Sequence, residues 1–586
     1  MKPKQFIFMN KVQYIIAMSP LLLALAPDAI VGDMVRFVDI TSKTGITFRH
    51  INGASKDKPR LLPMTMGSGV CVLDVENDGL QDLLFVNGTE NLSTETVPTG
   101  SKIKESALRL YHNNGNWKFS DITQKANLDM VVYGMGCAVA DYDDDGAPDL
   151  FVTALGQPRL FHNDGKGIFT DVTKKAGITD SGWSTAAAWL DYDRDGDLDL
   201  FVGHYFRKWT PDNEVGCSVG IEENRQTFCG PNVLENESPR LYRNNGSGTF
   251  TDVSNAAGIF NQDGRALGVA LLDYNNDGWI DIVVANDAVA NFLYRNNRDG
   301  TFVETALQAG IAYDEKGIAR NGMGVDVGDY DNDNKGNHSI LIGNDPFQGL
   351  SLYKSEGQRL FRDHASQARL VEPSLPFLTF GVFFFDYDLD GWLDAFIVNG
   401  LTDDVRATVQ KGVTYEQRPL LFHNLRNGQF EEAGGHMGLD QPLVGRGAAY
   451  GDLDNDGDLD VVITVNRGFG RTIQNGVPLI LRNDGGNRNH KLRVKLIGTK
   501  SNRDAIGAVV KVAAGSVTQS RMVKTGSSYL SQSELPLIFG LSQNSAADEL
   551  EIRWPSGLVE KFKNMKANQS ITVQEGKGII ASENFK

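Results

Sequence analysis

Asp141-Tyr-Asp-Asp-Asp-Gly-Ala-Pro-Asp149, followed by the apolar run Leu150-Phe-Val-Thr153, is the stretch that decides the architecture. Carboxylates alternate along it, a glycine permits a sharp turn, and a last carboxylate closes the nonapeptide before a strand-like segment. The pattern D-x-D-x-D-G-x-x-D starts again at Asp74, Asp191, Asp273, Asp329, Asp386 and Asp452, at intervals of 50 to 82 residues. Self-similarity at such a period marks an array of supersecondary units, none of which buries its apolar face alone.

The seven windows hold 29 of the 74 acidic residues. Crowding of that kind is costly unless a cation sits among the carboxylates. Calcium fits, being a hard ion that takes about 6–8 oxygens from a flexible loop. The expected ligands of the second copy are Asp141, Asp143 and Asp145, the Ala147 carbonyl and Asp149. The corresponding sets are Asp74, Glu76, Asp78, Leu80 and Asp82 in the first copy, and Asp191, Asp193, Asp195, Asp197 and Asp199 in the third. The fourth offers Asp273, Asn275, Asp277, Trp279 and Asp281; the sixth Asp386, Asp388, Asp390, Trp392 and Asp394. The seventh offers Asp452, Asp454, Asp456, Asp458 and Asp460. The fifth, Asp329–Asn337, keeps Asp329, Asp331 and Asp333 but loses the turn glycine, gains a lysine and ends on a neutral residue. It is expected to bind weakly or not at all, which leaves about six calcium sites. An EF-hand needs a bidentate Glu at position 12 and flanking helices; that position is Phe85, Val152, Val202, Val284, Ile340, Ile397 or Ile463, so the EF-hand is rejected.

Around each loop the strands follow one order. A small-residue strand such as Gly134-Met-Gly136 precedes it, and a Leu-x-x-Asn strand such as Leu160-Phe-His-Asn163 follows. A Phe-x-acid strand comes last, at Phe119, Phe169, Phe250, Phe302, Phe361 and Phe430. The missing seventh is Phe37-Val-Asp39, ahead of every loop. A chain that opens with a lone outer strand and closes with a unit lacking one predicts a ring sealed by pairing its ends. The expected fold is all-β, a seven-bladed β-propeller closed by the N-terminal strand. These repeats, as in Leu241-Tyr-Arg-Asn-Asn-Gly-Ser-Gly-Thr-Phe-Thr-Asp-Val253, resemble the FG-GAP family of integrin α-subunit propellers. The resemblance implies calcium in the loops joining the two inner strands of each blade.

After Asn483 the repeat stops. Alternation at Leu492, Val494 and Leu496, and at Leu550, Ile552 and Trp554, predicts a small antiparallel β domain. Ser501–Val512, Ser528–Gln532, Phe539–Leu541 and Trp554–Gly557 closely resemble the ASPIC/UnbV domain; its union with an FG-GAP propeller is similar to the cartilage acidic protein family and its bacterial relatives. The expected division is 1–26 signal peptide, 33–486 propeller, 487–576 C-terminal β domain and 577–586 tail. Asn502, Arg503 and Asp504 could form a polar recognition site, but the favoured reading is a turn held by side-chain hydrogen bonds before the Gly507 strand.

Lys2, Lys4 and Lys11 precede the apolar run Ile15–Ala26, the pattern of an export signal too short for a comfortable span. The protein is therefore expected to be periplasmic, extracellular or at the cell surface, monomeric, and without a transmembrane span after the signal. A net charge of −17 excludes nucleic acid, which needs a basic face. Cys217 and Cys229 are expected to form a disulfide within the long insertion Gly203–Arg240. Cys71 and Cys137, three and four residues before their aspartates, point to opposite sheet faces and are expected to be buried thiols. His112, His162 and His423 share a repeat position and are assigned to blade architecture; His204, beside Tyr205 and Trp209, is the one histidine singled out. No catalytic residue or organic cofactor is assigned, since no H-E-x-x-H, G-x-S-x-G or Walker run is present. Two functions follow: a calcium-stabilised binding or adhesion module for a protein or glycan, and an enzyme or biosynthesis accessory factor with a pocket near the axis or the domain junction. The second comes from the UnbV resemblance, which implies a link to enediyne biosynthesis.

Overall fold

The structure is a computed structural model that describes residues 35–54, 60–90, 108–212, 214, 217–218, 226–333, 338–357, 359–468 and 476–585. The expected signal peptide and residues 334–337 of the fifth loop lie outside them.

Among the described residues, seven four-stranded antiparallel sheets repeat one plan. In the second, the innermost strand Tyr133–Ala140 pairs with Asp149–Leu155, then Arg159–Asn163, then Phe169–Asp171. The innermost strands touch their neighbours in chain order, and Gly445–Gly451 of the last sheet touches Val70–Leu73 of the first. Arg36–Asp39 supplies the outer strand of the last sheet, with Phe37 opposite Asn483 and Asp39 opposite Leu481. The two chain ends of the repeat array are thus paired, and the ring has no open seam that would expose a sheet edge.

Two further sheets follow. One runs in the order Leu537–Ser542, His490–Ile497, Gln569–Gln574, Gly578–Asn584; the other Val517–Met522, Val509–Ala514, Ala546–Arg553, Val559–Lys566. Two expectations are corrected here. His490–Ile497 and Gln569–Gln574 run parallel, so the module is mixed rather than antiparallel. The expected tail forms strand Gly578–Asn584, paired with Gln569–Gln574. Leu492, Val494, Leu550, Ile552 and Trp554 are buried between the sheets as the alternation predicts.

The segment Thr525–Glu534 joins the C-terminal module to the ring axis. Gln532 N donates to Val70 O (3.1 Å), Cys137 N to Leu530 O (3.3 Å), and Trp189 N to Thr525 Oγ1 (2.8 Å). Val325 N donates to Ser528 O (3.0 Å) and Tyr450 N to Ser533 Oγ (3.1 Å). Gly526 approaches Val269 O, and the Tyr529 ring lies 4.8 Å from that of Phe380. The innermost strand of every sheet is therefore engaged. The small residues read from the sequence are what this insertion requires: a Cβ on Gly69 would stand 1.6 Å from Leu530 O. From the other end, Leu61–Met66 closes the axis, with Tyr529 Oη donating to Met66 O (3.1 Å). Arg446, wholly buried, donates to Thr65 O and Gly400 O and lies 4.0 Å over the Phe380 ring.

Cys217–Cys229 staples the insertion as expected. Cys71–Cys137 is also a disulfide, not a pair of thiols. Opposite faces argue against a bond within one sheet, but in a ring the front of one sheet meets the back of the next. Opposite faces on adjacent innermost strands are the geometry such a bond needs.

Candidate metal centres

The acidic nonapeptides of the first four, the sixth and the seventh repeats form the turns between the two inner strands of their sheets. In the second, Asp141 Oδ1 accepts from Asp145 N (3.0 Å), and Oδ2 from Gly146 N (2.8 Å). Asp145 Oδ1 accepts from Ala147 N (2.8 Å). The same bonds recur from Asp78 and Gly79 onto Asp74, from Asp277 and Gly278 onto Asp273, and from Asp390 and Gly391 onto Asp386. Position 4 is left-handed in all seven loops, from φ 47° at Asn332 to 61° at Arg194. Asparagine tolerates that conformation best among residues with a side chain, which accounts for Asn77, Asn276, Asn332 and Asn455. Three of these also donate to the turn residue of the next loop: Asn77 to Gly146 O, Asn332 to Gly391 O and Asn455 to Gly79 O (2.8–3.0 Å).

The closing aspartate has a second task that the sequence reading missed. Asp149 Oδ1 accepts from the backbone of Asn163 (2.8 Å), the Asn of the Leu-x-x-Asn strand. The Asn163 amide then donates to Val75 O (3.0 Å) in the preceding loop. The same two bonds link Asp82 with Asn113, Asp199 with Asn244, Asp281 with Asn296, Asp394 with Asn424 and Asp460 with Asn483. The fifth repeat carries Asn337 and Ser355 at these positions and so lacks both residue types. That joint loss was legible in the sequence.

The loops are electrostatically short of a cation. Asp82, Asp149, Asp199, Asp281, Asp394 and Asp460 are buried at 1 % exposure or less. Burial first, then neighbouring carboxylates, raise their pKa values, to about 8 for Asp82 and Asp394 and about 9 for Asp149. Asp191 and Asp452 are pushed to about 7 by the same causes, with an arginine partly opposing the shift at Asp452. Asp191 Oδ1, Asp394 Oδ2, Asp452 Oδ1 and Asp458 Oδ1 are buried without a hydrogen-bond partner, as are both oxygens of Asp329. Ligand atoms of Asp141, Asp143 and Asp149 converge within 4.8 Å, as do those of Asp191, Asp193 and Asp199. Orphaned, converging oxygens of this kind fit a hard divalent cation.

The remaining predicted ligands take the same places around their turns. Asp193 and Asp195 stand at positions 3 and 5 beside Asp191, and Asp388 and Asp390 beside Asp386. Asp454 accepts from Trp117 Nε1 (2.9 Å), and Asp456 and Asp458 from Asn487. Asp197, half-buried on its loop, is not among the converging Asp191, Asp193 and Asp199. In the fifth loop Asp331 pairs with Lys354. The three repeated histidines face the loops: His112 Nδ1 is 3.2 Å from Asp82 Oδ1, His162 Nδ1 is 3.1 Å from Asp143 Oδ2, and His423 Nδ1 is 3.3 Å from Asp394 Oδ1. The hydrogen bond to Asp394 is the main cause holding His423 up at about 9. His204, in contrast, is buried against Asp180, with Tyr205 and Trp209 buried beside it. The aromatic stretch of the insertion is therefore packing, and Tyr205 Oη donates to Asp287 (2.5 Å).

The C-terminal module sits on these loops. Asp504 Oδ2 accepts from Asp141 N (2.7 Å), and Asn502 exchanges two bonds with the Ile506 backbone, the turn expected there. A cavity of about 150 Å³ lies at this junction, lined in part by Asp74, Gln81, Asp141, Lys495, Arg503 and Asp504.

Comparison with known proteins agrees with these features. Residues 498–580 match the family model described as ASPIC and UnbV. Residues 74–152, 141–202, 232–284 and 273–336 match that of the FG-GAP-like repeat. Cartilage acidic protein 1 of Xenopus tropicalis is 30% identical over 296 residues, which is 50% of this chain and 42% of that protein. The human protein of that name is 28% identical over 333 residues, 56% and 46% of the two chains. The chain thus spans less than half the length of these relatives. Among solved structures, an Agrocybe aegerita lectin that recognises non-reducing terminal N-acetylglucosamine is 16% identical at a TM-score of 0.36, covering 72% of this chain and 96% of its own. The rhamnogalacturonan lyase YesW is 11% identical at 0.35, covering 71% of each chain.

Proposed function

We propose that this chain, which joins FG-GAP-like repeats to an ASPIC and UnbV domain, is an exported calcium-binding module that captures a protein or glycan partner. The observation that carries the calcium reading is the set of buried, unpartnered carboxylate oxygens at Asp191, Asp394, Asp452 and Asp458. The ions would be held by the position 1, 3, 5 and 9 side chains and the position 7 carbonyl, and would supply charge neutralisation rather than chemistry. The two disulfides suit an oxidising compartment, and no helix among the described residues is long and apolar enough to cross a membrane.

The fold also narrows where a partner could meet the protein. Among the described residues, the axial segment, Leu61–Met66 and Arg446 occupy the axis, which weighs against an axial pocket of the kind the enzyme reading invoked. The loop face carries the C-terminal module. The face bearing the insertion Gly203–Arg240 and the outer rim are the surfaces proposed to meet the partner. Binding to an array of glycans and candidate matrix proteins, with calcium and with chelator, tests this reading. Calcium-dependent capture without turnover supports it; turnover of a bound compound at the junction cavity would favour the enzyme reading instead.

A further inference from the structure

The C-terminal module brings a guanidinium to the first carboxylate of three loops. Arg503 Nε lies 3.4 Å from Asp141 Oδ2, Arg521 Nη2 3.3 Å from Asp386 Oδ2, and Arg493 Nη1 3.2 Å from Asp452 Oδ2. In each case the same oxygen accepts the N–H of the loop glycine, Gly146, Gly391 or Gly457. Arg493 and Arg521 are fixed from their own side. Arg493 also pairs with Glu534 (2.5 Å), a residue of the axial segment. Arg521 bonds Ile538 O and Gln519 Oε1 and stacks at 4.9 Å on Phe539. Asp191 and Asp273, the first carboxylates of the third and fourth loops, meet no cation of this module in an ion pair among the described residues. The loops differ, therefore, in something their own sequences do not contain.

We propose that the C-terminal module sets the calcium affinity of the ring, dividing its loops into a clamped class (second, sixth and seventh) and an unclamped class (third and fourth). The inference rests on the calcium reading above. A guanidinium sharing the carboxylate that opens a loop repels a divalent ion there, and the buried pairs of Arg493 and Arg521 are little screened by salt. Because coupling between two binding events is reciprocal, calcium entering a clamped loop loosens the arginine that holds the module. Arg493 extends this effect to the axial segment through Glu534.

Calcium isotherms of the full chain and of Arg493→Met, Arg521→Met and Arg503→Met test the proposal, with hydrogen exchange of residues 525–534 as a second readout. The wild type is expected to show at least two affinity classes. Each variant should move one site to tighter binding by about tenfold, a common size for such coupling. Calcium should speed exchange in 525–534 in the wild type and less so in Arg493→Met. Arg503 is 44% exposed at its side chain, so its variant keeps the test open should either buried arginine prove necessary for folding. Calcium binding with unchanged affinities in Arg503→Met and in the folded remainder overturns the clamp but leaves the calcium reading standing. No calcium uptake by the wild type overturns both.

Discussion

Asn113 donates its side-chain amide to Leu453 O at 2.8 Å, joining residues 340 apart in the chain. It ties the third strand of the first sheet to the acidic loop of the last, across the point where the ring closes. The same residue bonds Asp82 through its backbone, so one Asp–Asn pair fixes a loop, its own strand and its neighbour's loop together.

Breaking that tie should be costly away from the seam as well. Asn163→Ala removes donors to Val75 O and Pro148 O in a buried setting. A loss of about 2 kcal/mol is expected in chemical denaturation. Ser355→Ala, at the equivalent place in the fifth repeat, should cost clearly less.

The axial segment makes ring and C-terminal module one cooperative unit. Tyr529 is fully buried, and Tyr529→Ala should destabilise the protein by about 3–5 kcal/mol. Wild-type unfolding followed by fluorescence and by proteolysis should coincide. A stable C-terminal fragment released ahead of the ring would contradict this.

The bond between Cys71 and Cys137 closes a separation of 66 residues, for which chain entropy gives about 4 kcal/mol. Thiol titration of the unfolded, unreduced protein should find no free thiol. Cys71→Ala/Cys137→Ala should lower the denaturation midpoint more than Cys217→Ala/Cys229→Ala, whose separation is 12.

The pH dependence of the calcium-free protein should run opposite to that of ordinary acid denaturation. Asp82, Asp149 and Asp394 have folded pKa values raised from 3.8 to about 8, 9 and 8, chiefly by burial. A raised folded pKa means that the native state holds the extra protons, and stability falls as pH rises. The contribution of protonation is complete below 3.8 and is lost as pH climbs through about 8–9. Denaturation midpoints in chelator should therefore drop between pH 5 and pH 9, and calcium should flatten that slope.

Much of this was legible in the chain. The nonapeptide spacing marked the turns, and the displaced Phe37 strand marked the closure, because both are local patterns repeated at fixed places. What stayed hidden depends on long-range placement. Ser528–Gln532 has no periodicity that would announce an axial segment, and Arg493 and Arg521 lie far in sequence from Asp452 and Asp386. The Cys71–Cys137 bond is not legible from strand alternation, because its opposite-facing cysteines meet only when neighbouring sheets of the ring pack front to back. The Asp–Asn tie could have been found from the fifth repeat, where Asn337 and Ser355 replace both members at once.

The central claim is that divalent ions neutralise the buried carboxylates of the loops, and the melting temperature as a function of free calcium tests it most directly. A ligand bound only by the native state stabilises it by mass action, so the midpoint should rise by several degrees from chelator to saturating calcium and fall back on chelation. Melting curves that superimpose across that range would contradict the account.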